Sequence, residues 1–507
     1  MTTLKKILLT VGIVIVVMTG LSALALNYES NQYWGAHTDE VDASAFARPQ
    51  APLAIMNANV LSADGETFLS DQMVLIENGH ITAVAEHIDL PSHIQRIDAE
   101  GQFVIPGLTD SHVHLWQSPN DLMLYLANGV THVKELNGSE EHLQWKADIA
   151  GGRPGPDLFV ATRRHNSHGV YAGWFHRWTA KMNPVHDVDD IAEHVSSIKA
   201  QGFDAIKIYT HLTKPHFEAF DQQARLQQVK LLGHIPSALT LEDVWHSELN
   251  ELAHIEELVK ALDREFGGYT RHNTDEFLAF VARRSDAVAQ QLASSQMAVM
   301  TTVSLIETFA EQKASVEAAL KTVELPYVNP GIAESTFPSI RVMGWLPDVN
   351  IYRLPENYPD DKVAGNQRYW QAYATANHIL LRAMNTHGVK IMAGTDANVP
   401  VMVPGFSMHQ ELMSLNRAGL TTAQALRSAT ATPADWMGIK SGRVKPGYQA
   451  DIVILNANPL DDIRNTGSIA SVISNGRYYD RDTLNAMLKA VKEANQHSRT
   501  KPIAHLH

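Results

Sequence analysis

Apolar positions divide the chain into regions with different periodicities. Residues 7–26 form one uncharged run that is long enough to cross a bilayer as a helix. Residues 51–105 and 440–482 hold short runs rich in β-branched residues, separated by turn sequences such as DG and NG, without helical periodicity. Between them, strand-like runs alternate with helix-like runs. That alternation is typical of parallel β/α units.

The central region contains eight strand-like runs. They are FVIPGLTDSHVHL, VTHVKEL, LFVATRR, AIKIYT, VKLLGHI, ELAHI, AVMTTVSLI and VKIMAGTDA. Helical stretches lie between most of them, and eight such units fit a (β/α)8 TIM barrel better than a doubly wound sheet. We therefore predict an α/β protein whose barrel covers residues 106–439, with an insertion over its mouth at about 309–367. The two flanking β segments are expected to pair with each other.

The N-terminal segment, residues 1–30, has the pattern of an export signal. Lys5 and Lys6 precede the apolar run, which ends in small residues at Ala23 and Ala25. The pattern leaves open a cleaved signal peptide or an uncleaved membrane anchor through residues 7–26. In both cases the rest of the chain is exported. We expect a protein of a bacterial-type periplasm, or one anchored in the inner membrane and facing the periplasm.

Composition narrows the choice of partners. The net charge of −14 and the pI near 6 give no basic surface, which argues against nucleic acid and favours a small-molecule substrate. The 45% apolar content is enough for a sizeable core. The chain has no cysteine, so it contains neither a disulfide nor a lipoprotein attachment residue. The sequence does not indicate an oligomeric state.

Two histidines, His112 and His114, lie one residue apart at the end of the first predicted barrel strand. Residues i and i+2 of a strand point to the same face, so both imidazoles can reach one point. Neutral imidazole is the commonest metal ligand among side chains. In a chain with 25 histidines such a pair also arises by chance, so the pair alone does not establish a site.

Four other predicted strands carry polar residues that strengthen the case for a metal site. Lys207 lies within the apolar run AIKIY. A buried ammonium is costly, so a buried lysine loses its proton, pairs with an acid or is modified, for instance to a carbamate; the alternative is a lysine whose tip reaches water. His234, His254 and Asp396 each close a strand, at the face where a barrel holds its catalytic groups. Five strands thus point to one site.

Several motifs together resemble the amidohydrolase superfamily of metal-dependent hydrolases, in particular its imidazolonepropionase and prolidase-like branch. They are VIPGLTDSHVHL, AIKIY, LLGHIPSA, LAHIEEL, IMAGTDA and the closing HQELMSLNRAGLTTAQALRSATATPADWMGI with GRVKPGYQADIVIL. The resemblance covers residues 51–482. It implies a TIM barrel with a small β-sandwich domain built from both ends of the chain.

The resemblance also implies a centre with two divalent metal ions, most simply Zn²⁺. One ion would be held by His112, His114 and Asp396, and the second by His234 and His254. Carboxylated Lys207 and a hydroxide would bridge them, while Asp396 would act as general base and then as general acid. A single ion with unmodified Lys207 stays open.

The sequence departs from the family pattern at two places. Pro236 stands where many peptidase-like relatives have a second histidine, and Ala253 stands where many have glutamate. These departures leave the metal ligands intact and the substrate class open.

We predict a hydrolase of an amide-type C–N bond, with a dipeptide or a cyclic amide as substrate. Lactone or phosphotriester hydrolysis at the same site is an alternative, and so is a metal-dependent binding protein without catalysis. In the loop RRHNSHGVYAGWFHRW, the candidate substrate contacts are Arg164, His168 and Tyr171, although an ordinary structured loop would carry the same residues. Glu135 is expected to bond a neighbouring backbone group rather than to face the site.

Overall fold

The structure, a computed structural model, describes residues 3–334 and 344–500. Residues 1 and 2 of the N-terminal segment and 335–343 of the predicted insertion lie outside the described residues. The strands are β1 (Leu53–Leu61), β2 (Phe68–Glu77), β3 (His80–Ala85), β4 (Gln95–Asp98), β5 (Phe103–Pro106), β6 (Leu108–Val113), β7 (Val130–Gly138), β8 (Asp157–Thr162), β9 (His165–Ser167), β10 (Asn183–Val185), β11 (Ala205–Ile208), β12 (Lys230–Gly233), β13 (Leu249–Ala253), β14 (Ala298–Met300), β15 (Lys390–Met392), β16 (Ile452–Leu455), β17 (Ile469–Ser474) and β18 (Arg477–Asp480).

The α-helices are α1 (Thr3–Tyr33), α2 (Asp121–Ala127), α3 (Glu140–Ala150), α4 (Val170–Thr179), α5 (Ile191–Gln201), α6 (Lys214–Gln227), α7 (Leu241–Trp245), α8 (Glu256–Phe266), α9 (Thr274–Ser294), α10 (Val303–Ala314), α11 (Val316–Leu320), α12 (Pro330–Glu334), α13 (Asp360–Thr386), α14 (Phe406–Arg417), α15 (Thr422–Ser428), α16 (Ala431–Met437) and α17 (Arg481–Thr500). Within the described residues, about half of the predicted insertion is therefore helical.

Strands from both chain ends form one eight-stranded sheet, in the order β18-β17-β16-β5-β1-β2-β3 with β4 beside β1. The join between the two ends is the antiparallel pair of β5 and β16, where Val104 lies opposite Ile454. Isoleucine and valine side chains of these strands form a separate core, which includes Ile55, Val74 and Ile452. The pairing of the two flanking β segments is confirmed.

The central domain is a parallel barrel with strand order β6-β7-β8-β11-β12-β13-β14-β15. The barrel closes where the Ser111 N–H donates to the Ala393 carbonyl at 2.9 Å and Val113 pairs with Ala397. All eight predicted strands are present, and the predicted fold class is confirmed. One predicted strand is divided: β5 belongs to the end sheet and β6 to the barrel.

Helices cover the outside of the barrel with an apolar face. In α5 the buried residues Ile191, Val195 and Ile198 follow helical spacing. In α6 the buried residues are Phe217, Phe220 and Ala224. The strands beneath are buried on both faces, as β7 shows along its whole length. Among the described residues, the barrel strands are therefore accessible to a ligand at the ends of the barrel.

Helix α1 has an exposed apolar N-terminal part, and its C-terminal end packs against the folded body. Residues 3–24 are exposed, whereas Ser30, Tyr33 and the following Trp34 are buried against the folded body. Among the described residues, α1 is the one helix long and apolar enough to cross a membrane, with a mean hydropathy of 2.6 in its most apolar window. A signal sequence has the same length and composition.

Candidate metal centre

The six predicted metal ligands meet in one cavity at the carboxyl ends of the barrel strands. His112 lies on β6 and Lys207 on β11, while His234, His254 and Asp396 follow β12, β13 and β15. Together with His114 they line a cavity of about 790 Å³. This volume is within the range of pockets that enclose drug-sized ligands.

His112, His114 and Asp396 form the tightest group, with ligand atoms that all lie within 4.8 Å of one another. Asp396 Oδ1 is 3.0 Å from His114 Nε2 and 3.4 Å from His112 Nε2. The other oxygen, Oδ2, is 4.0 Å from His254 Nε2. One carboxylate therefore faces three imidazoles, two at the end of β6 and one after β13.

The remaining rings connect this group to the other side of the cavity. The His112 and His254 rings stack with centroids 4.6 Å apart, and the His254 and His234 rings meet edge to face at 5.2 Å. Within the described residues, neither ring nitrogen of the buried His112 has a hydrogen-bond partner. Burial of an unbonded nitrogen is costly, and a bound cation would remove that cost. Imidazole and carboxylate ligands suit Zn²⁺ and similar divalent ions.

Outer hydrogen bonds orient two of the imidazoles. His234 Nδ1 is 2.9 Å from Thr210 Oγ1 and 3.2 Å from Glu257 Oε1. His254 Nδ1 is 3.0 Å from Thr302 Oγ1. In both rings Nδ1 thus has a hydrogen-bond partner, and Nε2 is left to bind a metal ion in the cavity. This arrangement is common around metal-binding histidines.

The electrostatic environment favours neutral imidazoles at His112, His234 and His254 and an ionised carboxylate at Asp396. His114 differs, because burial would lower its pKa but the hydrogen bonds and charges of Asp396 and Glu135 raise it. Burial, together with the positive charge of Lys207, lowers the pKa of His112 well below its usual value. Burial alone would raise the pKa of Asp396, but the hydrogen bond and charge of His114 and the charges of His254 and Lys207 lower it to about 2. These are the protonation states that metal ligands require.

Lys207 lines the same cavity and is almost fully buried, with 1% of its surface exposed. Burial lowers the pKa of its ammonium to about 8, although the negative charges of Asp396 and Glu251 oppose the change. Part of the amine is therefore neutral near pH 8. A neutral amine is the form that adds carbon dioxide.

Comparison with known proteins identifies the family. The profile of the amidohydrolase family matches residues 205–478, which is more than half of the chain. The chain belongs to the amidohydrolase family. The family assignment made from the sequence motifs is thereby confirmed, and amidohydrolases as a family bind divalent metal ions.

Curated relatives match this amidohydrolase over short stretches. A deacetylase of Agrobacterium fabrum is 34% identical over 76 residues, which are 15% of this chain and 19% of the relative. An imidazolonepropionase of Vibrio cholerae is 39% identical over 66 residues, 13% of this chain and 16% of the relative. Dihydropyrimidinase 1 of Caenorhabditis elegans is 34% identical over 133 residues, 26% of this chain and 24% of the relative. The matches thus span less than a quarter of each relative.

Solved structures share the fold over most of the chain. A bottromycin amidohydrolase superposes with a TM-score of 0.70 at 20% identity, covering 92% of this chain and 96% of that one. A Xaa-Pro dipeptidase with bound methionine superposes with a TM-score of 0.61 at 17% identity, covering 85% of this chain and 100% of that one. At these identities the likeness concerns the fold.

Backbone geometry restricts the positions of the candidate ligands. His254 and Asp396 adopt positive φ values of 87° and 58°, which are uncommon for non-glycine residues. A Cβ at Gly233, just before His234, would lie 2.1 Å from the Ile208 carbonyl oxygen. A Cβ at Gly394 would lie 2.6 Å from the Met300 sulfur. Both glycines therefore allow a close approach beside a ligand.

The structure brings two of the three predicted substrate residues to the cavity. Arg164 and His168 line its wall, whereas Tyr171 is 91% exposed on α4 and does not. The sequence-based expectation for Tyr171 is thus not met, because Tyr171 lies in the first turn of a helix that presents later residues to the cavity, among them Phe175 and Thr179.

Arg164 is an unpaired cation in this wall. Its Nη atoms reach the Tyr209 hydroxyl at 3.4 Å and the Ala180 carbonyl at 2.9 Å, and its Nε is buried without a partner among the described residues. Within the described part of the chain, Arg164 forms no ion pair with a carboxylate. The guanidinium is therefore available to an anionic group of a ligand.

Several residues around the site were not predicted from the sequence. Glu135 accepts backbone N–H groups, as expected, from Leu115 and Asn137, but its Oε1 also lies 3.8 Å from His114 Nδ1. The cavity wall includes aromatic residues from distant segments, namely Tyr33, Trp34, Trp116, Tyr209, Tyr352 and Trp370. Such contacts join regions that are far apart in sequence, so no short motif predicts them.

A second group of titratable residues lies at the opposite end of the barrel strands. His132 Nε2 is 3.6 Å from an Asp157 oxygen and 3.8 Å from an Asp451 oxygen. The Asp157 carboxylate also accepts from Gln449 and Asn475, at 2.6 and 2.8 Å. The side-chain amides of Gln449 and Asn475 thus satisfy both oxygens of the Asp157 carboxylate. This group therefore joins the end sheet to β7 and β8 of the barrel.

Proposed function

We propose that this amidohydrolase is an exported, metal-dependent hydrolase of an amide-type C–N bond. The observation that carries the proposal is the convergence of six potential ligands from five strands in a single cavity, with three imidazoles beside the Asp396 carboxylate. The family membership supports the reaction class, and the names of similar proteins, such as a deacetylase and a Xaa-Pro dipeptidase, agree with it.

The residues fit two divalent ions, with Zn²⁺ as the best match to their nitrogen and oxygen atoms. The proposed ligands are His112, His114, Lys207 as its carbamate, His234, His254 and Asp396. When bound, the metal supplies an activated water and polarises the scissile carbonyl. The neutral amine of Lys207 takes up carbon dioxide, and the resulting carboxylate completes a site that is otherwise mostly imidazole.

Asp396 is the proposed general base. Its carboxylate is ionised at neutral pH and faces His112, His114 and His254, so it can accept a proton from the attacking water. It then delivers that proton to the nitrogen of the leaving amine. The neighbouring imidazoles hold the carboxylate in position for both transfers.

Arg164 is the proposed contact for the substrate's carboxylate. A dipeptide has one carboxylate beside the amide that is cleaved, and a planar guanidinium binds such a group through two parallel hydrogen bonds. The free Nε of Arg164 supports this assignment. His168, which lines the same wall, is proposed to lie beside the substrate.

The experiment is a hydrolysis panel with metal-loaded and metal-depleted protein. The panel contains Xaa-Pro and other dipeptides, cyclic amides, lactones and a phosphotriester. We expect cleavage of at least one amide, lost on chelation and restored by Zn²⁺. Exclusive cleavage of lactones or phosphotriesters would replace the proposed reaction by another one at the same site, and metal binding without hydrolysis of any compound would favour a binding protein.

A further inference from the structure

Helix α4 is attached to α1 where the apolar run of α1 ends. The Trp178 indole N–H donates to Asn27 Oδ1 at 3.1 Å, and Lys181 Nζ donates to Asn31 Oδ1 at 3.0 Å. The Trp34 indole N–H donates to the Thr179 carbonyl at 3.1 Å. Asn27 directly follows the apolar residues 7–26. These bonds fix α4 at the level at which α1 would leave a bilayer.

The outer side of α4 is apolar although it faces solvent. Val170, Trp174 and Trp178 follow each other at a spacing of four residues and so share one side of the helix. Trp174 is 66% exposed and Val170 is 67% exposed, and the Trp174 and Trp178 rings lie 5.9 Å apart. Exposed apolar patches mark interaction surfaces, and tryptophan is enriched at membrane–water interfaces.

The inner side of α4 lines the cavity that contains the candidate metal ligands. Phe175, His176 and Thr179 line it, and so do Tyr33 and Trp34 at the end of α1. From Trp34, a series of aromatic contacts leads through Trp116 to His114. The Trp34 ring meets the Trp116 ring edge to face at 4.9 Å, and Trp116 stacks on His114 with centroids 6.0 Å apart. One helix thus separates a candidate membrane surface from the metal ligands.

We propose that α1 is retained as an anchor, that α4 lies on the bilayer surface, and that the cavity takes amphiphilic amides from the membrane. The substrate class is an N-acyl amino acid with an apolar acyl chain. Arg164 faces its carboxylate, and the acyl chain lies against Leu305, Phe309 and Ile351 in the cavity wall. The choice of an amide rests on the proposed function, whereas the position of α4 does not.

Spin labelling tests the membrane surface without any assay of activity. Because the chain has no cysteine, a single introduced cysteine is the only labelling site. The full chain carrying Trp174→Cys, labelled in phosphatidylcholine vesicles, is expected to show the oxygen and nickel-chelate accessibilities of the headgroup region. Leu226→Cys on α6 is the matched control, because Leu226 is 67% exposed, and its label is expected to remain in water.

A third label, at Val14→Cys in α1, reports on the anchor and is expected to lie in the acyl region. Equal, water-like accessibilities at positions 174 and 226 would overturn the proposal. A water-exposed label at position 14 would overturn it as well, since the position of α4 depends on the anchor.

A kinetic comparison tests the delivery of the substrate. We expect the vesicle-bound chain to prefer a decanoyl over an acetyl amide of the same amino acid. In the double variant Val170→Ser, Trp174→Gln this preference should fall about tenfold, which corresponds to a loss of about 1.4 kcal/mol of apolar contact between α4 and the bilayer. Activity on the acetyl amide should stay unchanged. An unchanged preference would overturn membrane delivery. If neither amide is cleaved although a dipeptide or a cyclic amide is, the N-acyl amino acid is the wrong substrate class and the proposed function stands; the label depths still decide the position of α4.

Discussion

At the scale of single residues, Asp396 has two proposed roles, general base and metal ligand, which kinetics and metal analysis can separate. Asparagine at this position keeps the size and one oxygen of the side chain but cannot take a proton. For Asp396→Asn we expect kcat on the best amide to fall about a hundredfold to ten-thousandfold, the usual contribution of a general base. The measurement is kcat with saturating Zn²⁺ and elemental analysis of the same sample. The exposed Asp89→Asn is the control, and a kcat near that of the parent would contradict the role.

Lys207 is the residue whose proposed role depends on a modification. Lys207→Met preserves the buried volume but cannot form a carbamate, so metal content should fall from close to two equivalents to about one or fewer. Lys207→Glu supplies a carboxylate directly and should retain more metal than Lys207→Met. Elemental analysis after purification measures both variants. Equal and full metal content in the two would exclude a bridging role for Lys207.

Arg164 should affect binding according to the charge of the substrate. Arg164→Gln removes a charged hydrogen-bond donor, and such bonds contribute about 1.5–3 kcal/mol. We therefore expect KM for a dipeptide to rise at least tenfold, while KM for the same dipeptide with an amidated C-terminus stays nearly constant. Arg283→Gln, an exposed change on α9, is the control. Equal rises in KM for both substrates would show that Arg164 does not bind the carboxylate.

At the scale of elements, the sequence predicts barrel strands such as β11 and β14 because they are buried on both faces and therefore read as short, mainly apolar runs. The ligands at their ends are also predictable, since Lys207 interrupts such a run and His234 and His254 close one. The division between β5 and β6 is not predictable, because one apolar run serves two sheets. Nor are the cavity contacts of Trp34 and Tyr352, which depend on long-range packing.

His132 lies at the junction between the barrel and the end sheet and should stabilise it. His132→Gln removes the imidazole that lies between Asp157 and Asp451. We expect the free energy of unfolding to fall by about 1–3 kcal/mol, the cost of leaving buried polar partners unsatisfied. KM should not change, because this group lies at the opposite end of the strands from the cavity. Urea denaturation and KM are measured beside the exposed His93→Gln, and a change in KM alone would contradict the prediction.

At the scale of the whole molecule, the candidate centre links distant parts of the chain. Its proposed ligands come from β6, β11 and the ends of β12, β13 and β15, so they span 285 positions from His112 to Asp396. A cation shared by these strands would be bound by the folded state and not by the unfolded chain. Its binding free energy would then add to the stability of the entire barrel.

Metal removal should therefore lower the thermal stability of the whole protein. At a free metal concentration of about a hundred times Kd, one site contributes about 2.7 kcal/mol, so chelation should lower Tm by about 2–3 °C for each site and Zn²⁺ should restore it. The double variant His112→Asn, His254→Asn lacks ligands in the cavity, and chelation should leave its Tm unchanged. Scanning calorimetry of both proteins measures the difference. An equal fall in Tm for parent and variant would place the stabilising metal outside the cavity.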